Sequence, residues 1–301
     1  MNIFIKNWLK KNTYSLKGKK IVITGATGGL GKELCFYLAY LNAELILINR
    51  NEGKATSLKN EIITKYNGAK VTLLYADFEN INDVDKVCSE LKIYDIDIII
   101  HNAAVYAIER RIVGSGYLNV FQTNFVSPLY ITNKLLPQLE NTGGKIVVVG
   151  SIAHNYLKTN INDIDCRTYK SDALSYGNSK RYLMFYHEQL LKNSAVSFSL
   201  AHPGITFTSI TNHYPDWLFR IIKYPMKVIF MKKNVAALNI LKGVFENTKE
   251  GEWLSPLLFG IWGTPVVRKL KTATLAEKEQ IYSSSLEILN NVLVKDSNTE
   301  V

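Results

Sequence analysis

Tyr176 and Lys180 stand four residues apart in the stretch Ser175-Tyr176-Gly177-Asn178-Ser179-Lys180. On a helix that spacing puts both side chains on one face. A phenol beside an ammonium is a proton-transfer pair, because a nearby cation lowers the tyrosine pKa from about 10. Such a pair suits a hydride transfer that turns a carbonyl into an alcohol or back. The spacing alone is weak evidence. The chain has 17 tyrosines, and about one or two such pairs arise by chance; Tyr66/Lys70 and Tyr130/Lys134 share the spacing. Context separates them. Tyr66 precedes Gly68 in a loop before a strand, and Tyr130 comes too early in the chain order, soon after Asn124. Tyr176 opens the helix that follows the fifth predicted strand, and Ser151 stands at the carboxyl end of that strand. Carboxyl ends of strands are where open α/β sheets bind ligands.

A second cluster is Thr24-Gly25-Ala26-Thr27-Gly28-Gly29-Leu30-Gly31, between the first strand and the first helix of the alternating pattern. Glycines there tighten the turn and let backbone N–H groups approach a pyrophosphate, and the helix N-terminus adds positive potential. A tight turn alone would look the same, but the position after the first strand favours a dinucleotide. The end of the second strand selects between the two nicotinamide dinucleotides. An acidic residue there would bind the ribose hydroxyls of NAD. This chain has Ile48-Asn49-Arg50, with Lys54 one turn on. Arg50 suits a 2′-phosphate, so NADP(H) is expected over NAD(H).

The elements that must position these groups follow from the apolar pattern. Short β-branched runs at 20–24, 44–49, 71–75, 97–100, 145–149 and 196–201 alternate with helical segments at 31–41, 52–66, 83–91, 117–139 and 174–191. Apolar runs without polar alternation belong to strands covered on both faces. Right-handed βαβ crossovers then make an α/β fold, a Rossmann-like doubly wound parallel sheet with helices on both faces. No Pro/Gly/Ser linker divides the chain, so one domain is expected over 18–301. A basic and apolar N-terminal extension would cover 1–17. A less regular tail would provide a substrate lid at about 205–235 and a C-terminal cap at about 236–301.

With 301 residues, 47% hydrophobic and 21% charged, the composition is that of a globular protein and excludes wholesale disorder. Three scattered cysteines, Cys35, Cys88 and Cys166, give neither a zinc spacing nor a disulfide framework. A reducing, cytoplasmic setting fits them. No apolar run is long enough for a membrane span, and the first ten residues are too broken for a signal peptide. The net charge of +10 permits anionic partners. The basic residues are dispersed and no recognition module is visible, so nucleic acid is not expected.

Taken together, the motifs resemble the short-chain dehydrogenase/reductase family. The carriers are Thr24-Gly25-x-x-x-Gly29-x-Gly31, Asn102-Ala103-Ala104, Asn124, Ser151, Tyr176-x-x-x-Lys180 and Pro203-Gly204. They occur in the family's order across about residues 18–208. The resemblance implies that Tyr176 exchanges the proton with the substrate oxygen and that Lys180 lowers its pKa and holds the nicotinamide ribose. Ser151 would bond the substrate carbonyl, and Asn124 would hold a water linking Lys180 to solvent. Gly25, Thr27, Gly28, Gly29, Leu30 and Gly31 would take the pyrophosphate, and Arg50 the 2′-phosphate. Asp77 and Phe78 would hold the adenine. Asn102, Ala103 and Ala104 would line the cofactor, and Pro203, Gly204, Ile205 and Thr206 would lie against the nicotinamide carboxamide. The substrate would be a small carbonyl or alcohol, and homo-oligomers are common in the family.

Two branches of the family compete. Gly25, Gly28 and Gly31 with His101-Asn102-Ala103-Ala104 also resemble the longer, epimerase-like branch. The shorter branch is favoured by Thr123-Asn124-Phe125, Leu136-Pro137 and His202-Pro203-Gly204. The wide gap between Ser151 and Tyr176, with Asn49-Arg50, is similar to the retinol-dehydrogenase-like reductases. A cofactor-binding sensor without turnover is a third reading. Of the histidines, His101 is expected near the cofactor without a catalytic part, His154 and His213 along the substrate cavity, and His187 in packing or at the surface. The aromatic, basic stretch 216–233 would suit a lipophilic substrate or contact with acidic lipid, which Phe4, Ile5, Trp8 and Leu9 would join.

Overall fold

The computed structural model describes residues 1–206, 230–271 and 273–297. Its strands are β1 (Lys20–Thr24), β2 (Glu44–Asn49), β3 (Val71–Tyr75), β4 (Ile98–His101), β5 (Lys145–Val149), β6 (Ser197–Ala201), β7 (Glu252–Leu258) and β8 (Trp262–Lys269). They form one sheet in the order β3-β2-β1-β4-β5-β6-β7-β8. β1 to β7 are parallel, and β8 returns antiparallel on β7.

The strands lack polar alternation because both faces are covered. Val22, Ile46, Ile99 and Ile146 enter one core, while Ile21, Ile23, Leu45, Leu47, Ile98 and Ile100 enter the other. Alternate residues of one strand point to opposite faces, so each apolar run supplies both cores. The helices that cover them are α1 (Ile3–Asn12), α2 (Gly29–Tyr40), α3 (Glu52–Lys65), α4 (Ile81–Leu91), the short α5 (Asn119–Phe121), α6 (Ser127–Thr142), α7 (Asp172–Leu191), α8 (Lys233–Phe245) and α9 (Leu275–Ser297).

Three regions differ from the sequence expectation. The single long helix expected at 117–139 is broken by a π-helical turn, Gln122–Val126, between α5 and α6. The extra residue in that turn changes which side chains share a face, and periodicity does not register it. The tail expected as irregular contains α8, the β7–β8 hairpin and α9. Pro256, Gly263 and Pro265 erase the strand signal, and proline is tolerated because the hairpin lies at the sheet edge. Residues 1–17, expected as an extension, begin with α1. Asn2 caps it by accepting from the Ile5 N–H at 2.9 Å, and Ile5 and Leu9 are buried in the same core as β1 and α8. Most of the expected lid, with His213, lies outside the described residues.

Candidate active site

The strand order reverses between β1 and β4, and their carboxyl ends diverge there. A cavity of about 820 Å³ opens at this point, with Gly25, Arg50, Asp77, Ser151, Tyr176 and Thr206 in its walls. Such switch points of open α/β sheets are where ligands bind.

The floor is the turn from β1 into α2. Gly25 has φ +65°, and a Cβ there would sit 2.7 Å from the Ala103 Cα. A Cβ on Gly31 would come within 2.5 Å of the Gly25 carbonyl oxygen. Glycine at these two positions lets the turn, the α2 N-terminus and the end of β4 lie against one another. Asn102 fastens the arrangement: its Nδ2 donates to the carbonyls of Thr24 (2.9 Å) and Gly25 (3.1 Å). The Thr24 hydroxyl accepts from the Asn102 and Ala103 N–H groups. No side chain caps the N-terminus of α2, so its N–H groups are left for an anion. The geometry fits a dinucleotide: a glycine cradle that a Cβ would fill, an uncapped helix end, and the buried Asn49 Nδ2 with no partner.

At the end of β2, the Asn49 Oδ1 accepts from the Thr27 N–H at 3.3 Å. Asn49 thus ties the second strand to the glycine turn, a part that sequence spacing does not reveal. Arg50 and Lys54 are exposed on the cavity rim. Among the described residues neither side chain makes an ion pair. Asp77 accepts from the Glu79 N–H at 3.0 Å, and the Phe78 carbonyl accepts from the Ser127 hydroxyl at 2.6 Å. These bonds hold the third-strand loop on the opposite rim.

On the other side of the cavity, α7 begins with Ser171 as its cap and carries Tyr176 and Lys180 inward. The phenol ring packs edge-on against Tyr106, centroids 5.3 Å apart. Burial pushes the phenol's pKa up to about 12, against the opposing influence of the Ser151 side chain. Lys180 is almost fully buried. Its Nζ donates to the Val149 carbonyl at 2.9 Å and stands 5.9 Å from the centroid of the Tyr176 ring. Burial alone pulls its pKa down to about 8. The expected lowering of the tyrosine by the lysine is therefore not realised in this state: desolvation dominates both groups.

Asn124 serves first as a tie between elements. It lies in the π turn, behind the cavity wall. Its Oδ1 accepts from the Val105 N–H (2.8 Å), and its Nδ2 donates to the Val105 carbonyl (3.0 Å) and the Ser179 hydroxyl (3.0 Å). The amide fixes the loop after β4 to α7: both Nδ2 hydrogens are donated, and Oδ1 takes the Val105 N–H. The rival pairs have other partners. Tyr130 donates to Asp85 at 2.7 Å and Lys134 pairs with the same carboxylate at 3.0 Å; Lys70 pairs with Glu44 at 2.7 Å.

The histidines sit in the second layer. His154, expected along the cavity, is buried behind it, with its ring nitrogens on the carbonyls of Ser151 (2.6 Å) and Lys271 (3.1 Å). His101 and His187 both meet the Thr132 hydroxyl, each at 2.8 Å, in a buried chain that packs β4 against α6 and α7. His202 does reach the cavity wall. It stacks on Trp253, centroids 4.9 Å apart, and burial pulls its pKa down to about 4. Among the described residues no cluster of acids, histidines or cysteines could hold a metal ion.

Comparison with known proteins agrees with this geometry. Residues 19–162 match the family model described as short chain dehydrogenase. Over those residues the chain resembles the short-chain dehydrogenases/reductases, whose fold it shares. It is 25% identical to the human polyprenol dehydrogenase over 291 residues, which cover 89% of this chain and 84% of that one. Among solved structures, an uncharacterized protein from Mycobacterium Paratuberculosis shares the fold with a TM-score of 0.72 at 20% identity, covering 92% of this chain and 95% of that one. A short-chain dehydrogenase from Sphingobium yanoikuyae in complex with NADPH aligns with a TM-score of 0.53 at 22% identity, over 64% of this chain and 73% of that one.

Proposed function

We propose that the protein is an NADP(H)-dependent carbonyl reductase or alcohol dehydrogenase for a lipophilic substrate. The observation that carries this is the placement of Tyr176, packed on Tyr106, in the wall of the cavity that also holds Ser151 and the glycine turn. When bound, the nicotinamide supplies or accepts the hydride. The chain's own residues handle the oxygen and the proton. With a pKa near 12, the phenol stays protonated at neutral pH and donates to a carbonyl oxygen. Ser151 positions that oxygen beside the phenol. Lys180 keeps a loosely held proton on the far side of the ring, because burial disfavours its charge.

Arg50 and Lys54 support NADP(H). They present two unpaired cations where an acid would repel a 2′-phosphate, and Asn49 replaces that acid with a neutral amide. The walls near Tyr176 support a lipophilic substrate: Val105, Tyr106, Ile152, Ala153, Tyr156 and Phe230 are apolar or aromatic. The test is titration with NADPH and NADH by nicotinamide fluorescence, followed by retinoid, steroid, fatty aldehyde and quinone carbonyls. NADPH oxidation with one lipophilic carbonyl is the expected result. Tight binding without turnover on any of them would make the chain a cofactor sensor instead.

A second reading concerns lipid. The tip of the β7–β8 hairpin exposes Leu257, Leu258 and Phe259, the last 83% exposed and at φ +54°. A non-glycine residue in the left-handed region costs free energy, and an exposed aromatic gains nothing there in water. Arg268 reaches this tip and donates to the Leu257 carbonyl at 2.6 Å. An apolar tip beside the Arg268 guanidinium suits an acidic bilayer. Cosedimentation with phosphatidylserine vesicles, lost in Phe259→Ser, is the expected result. Equal sedimentation of both proteins would remove this reading.

A further inference from the structure

We infer that Lys233 is a ligand for the diphosphate of the bound dinucleotide, reaching over the glycine turn from the first turn of α8. The inference rests on the cofactor reading of the cavity and adds a residue that the motifs do not contain.

Lys233 lies 202 positions along the chain from Gly31 in no recognisable motif, yet the fold brings it to the turn. A Cβ built on Gly29 would lie 3.0 Å from each of the Lys233 Cδ, Cε and Nζ atoms. The arm of the lysine therefore crosses the bare backbone at the start of α2, and a side chain at position 29 would block it.

The root of the lysine is fixed. The Tyr37 hydroxyl of α2 donates to the Asn234 carbonyl at 2.8 Å. Met231 donates its N–H to the Ile205 carbonyl at 2.9 Å, and a parallel bridge pairs Thr206 with Met231. One strut runs to the helix that begins at the glycine turn, and the other runs to the segment after Gly204 in the cavity wall.

The head of the lysine is free. Lys233 is exposed, and no acid or carbonyl among the described residues takes its ammonium. Neither α2 nor α8 has an acidic residue in its first turn, and neither N-terminus is capped by a side chain. Two positive helix ends and one formal cation thus converge with no acid among the described residues paired to them. That field raises the free energy of the empty protein and is relieved by an anion. The glycine turn supplies dipoles but no formal charge, whereas a diphosphate diester brings two negative charges. Arg50 and Lys54 stand at the end of β2 and serve a different phosphate.

The experiment is fluorescence titration of NADPH and NADH into wild type, Lys233→Gln and Lys233→Arg. A charge-assisted bond to phosphate corresponds to roughly ten-fold in affinity. The expected result is a Kd about ten-fold higher in Lys233→Gln for both dinucleotides alike, with recovery in Lys233→Arg. The unliganded melting temperature of Lys233→Gln should not fall below that of wild type, because the exposed side chain makes no bond in the empty protein. Unchanged Kd values in Lys233→Gln would overturn the inference while leaving the cofactor reading intact. A loss confined to NADPH would overturn it too, because the lysine would then serve the 2′-phosphate. Failure of wild type to bind either dinucleotide would remove the cofactor reading, and the inference with it.

Discussion

Lys180 gives its ammonium to the Val149 carbonyl at 2.9 Å, while the ring of Tyr176 lies 5.9 Å away at its centroid. The lysine and the tyrosine share a helix face, but the strand end takes the hydrogen bond. Burial then moves the two pKa values in opposite senses, the phenol up to about 12 and the ammonium down to about 8. That relationship sets the pH behaviour of the site.

Carbonyl reduction needs the protonated phenol, and alcohol oxidation needs a group able to take a proton. The reduction rate should be level from pH 6 to about 7 and fall through pH 8 and above as Lys180 loses its proton. Oxidation of the matching alcohol should climb across the same alkaline range. Initial rates in both directions over pH 6–10 check this, and parallel profiles would contradict the assignment.

Tyr176→Phe should lower turnover by roughly 10²- to 10⁴-fold. The Kd for NADPH should not change, since the ring and its packing against Tyr106 remain. Activity close to wild type would exclude the phenol as the proton donor.

Arg50→Asp should weaken NADPH by roughly 100-fold, through loss of a charge-assisted pair and gain of repulsion. NADH should be affected far less. Paired titrations read the difference, and equal losses for both would place Arg50 elsewhere in recognition.

Charging the buried Lys180 costs stability at neutral pH. Its pKa is about 8 in the folded protein against a usual 10.5. Between those values the unfolded chain binds more protons, so stability rises with pH. Lys180→Met should therefore raise the stability by about 1–3 kcal/mol at pH 7 while abolishing turnover. Urea unfolding at pH 7 checks it, and destabilisation would show that the Val149 bond outweighs the buried charge.

His187 is held at about 4 in the folded protein against 6.5, because burial excludes the imidazolium. The unfolded chain takes up the proton first as pH falls. Stability is therefore lost between pH 6.5 and 4, by up to roughly 3 kcal/mol for this group. His202 behaves in the same way. His187→Gln should reduce the steepness of the acid side of a urea-midpoint profile, and an unaltered slope would refute the assignment.

Most of the parallel sheet was legible because burial on both faces leaves an unmistakable mark: Ile21-Val22-Ile23 and Ile98-Ile99-Ile100 contain no polar residue. The glycine turn, Ser151, Tyr176 and Lys180 were legible for a related reason, since each sits at an element boundary that the apolar runs define. Every described cofactor-site residue named from the sequence lies in the cavity wall. Asn124 does not, because a π turn is invisible to periodicity and redirects its amide to Val105 and Ser179. The edge hairpin was hidden by its own Pro256 and Pro265. His154 could not be placed, because its two carbonyl partners are 3 and 117 residues away.

The sequence by itself determined the sheet, the glycine turn and the helical spacing of Tyr176 and Lys180, since apolar run length, backbone freedom and helical periodicity are local properties. Only the tertiary structure decided which Tyr/Lys pair faces a cavity, which way burial moves each pKa, and that Asn49 and Lys233 meet the glycine turn. Those outcomes depend on distances between residues far apart in the chain, and on how much water the folded layers exclude from between them.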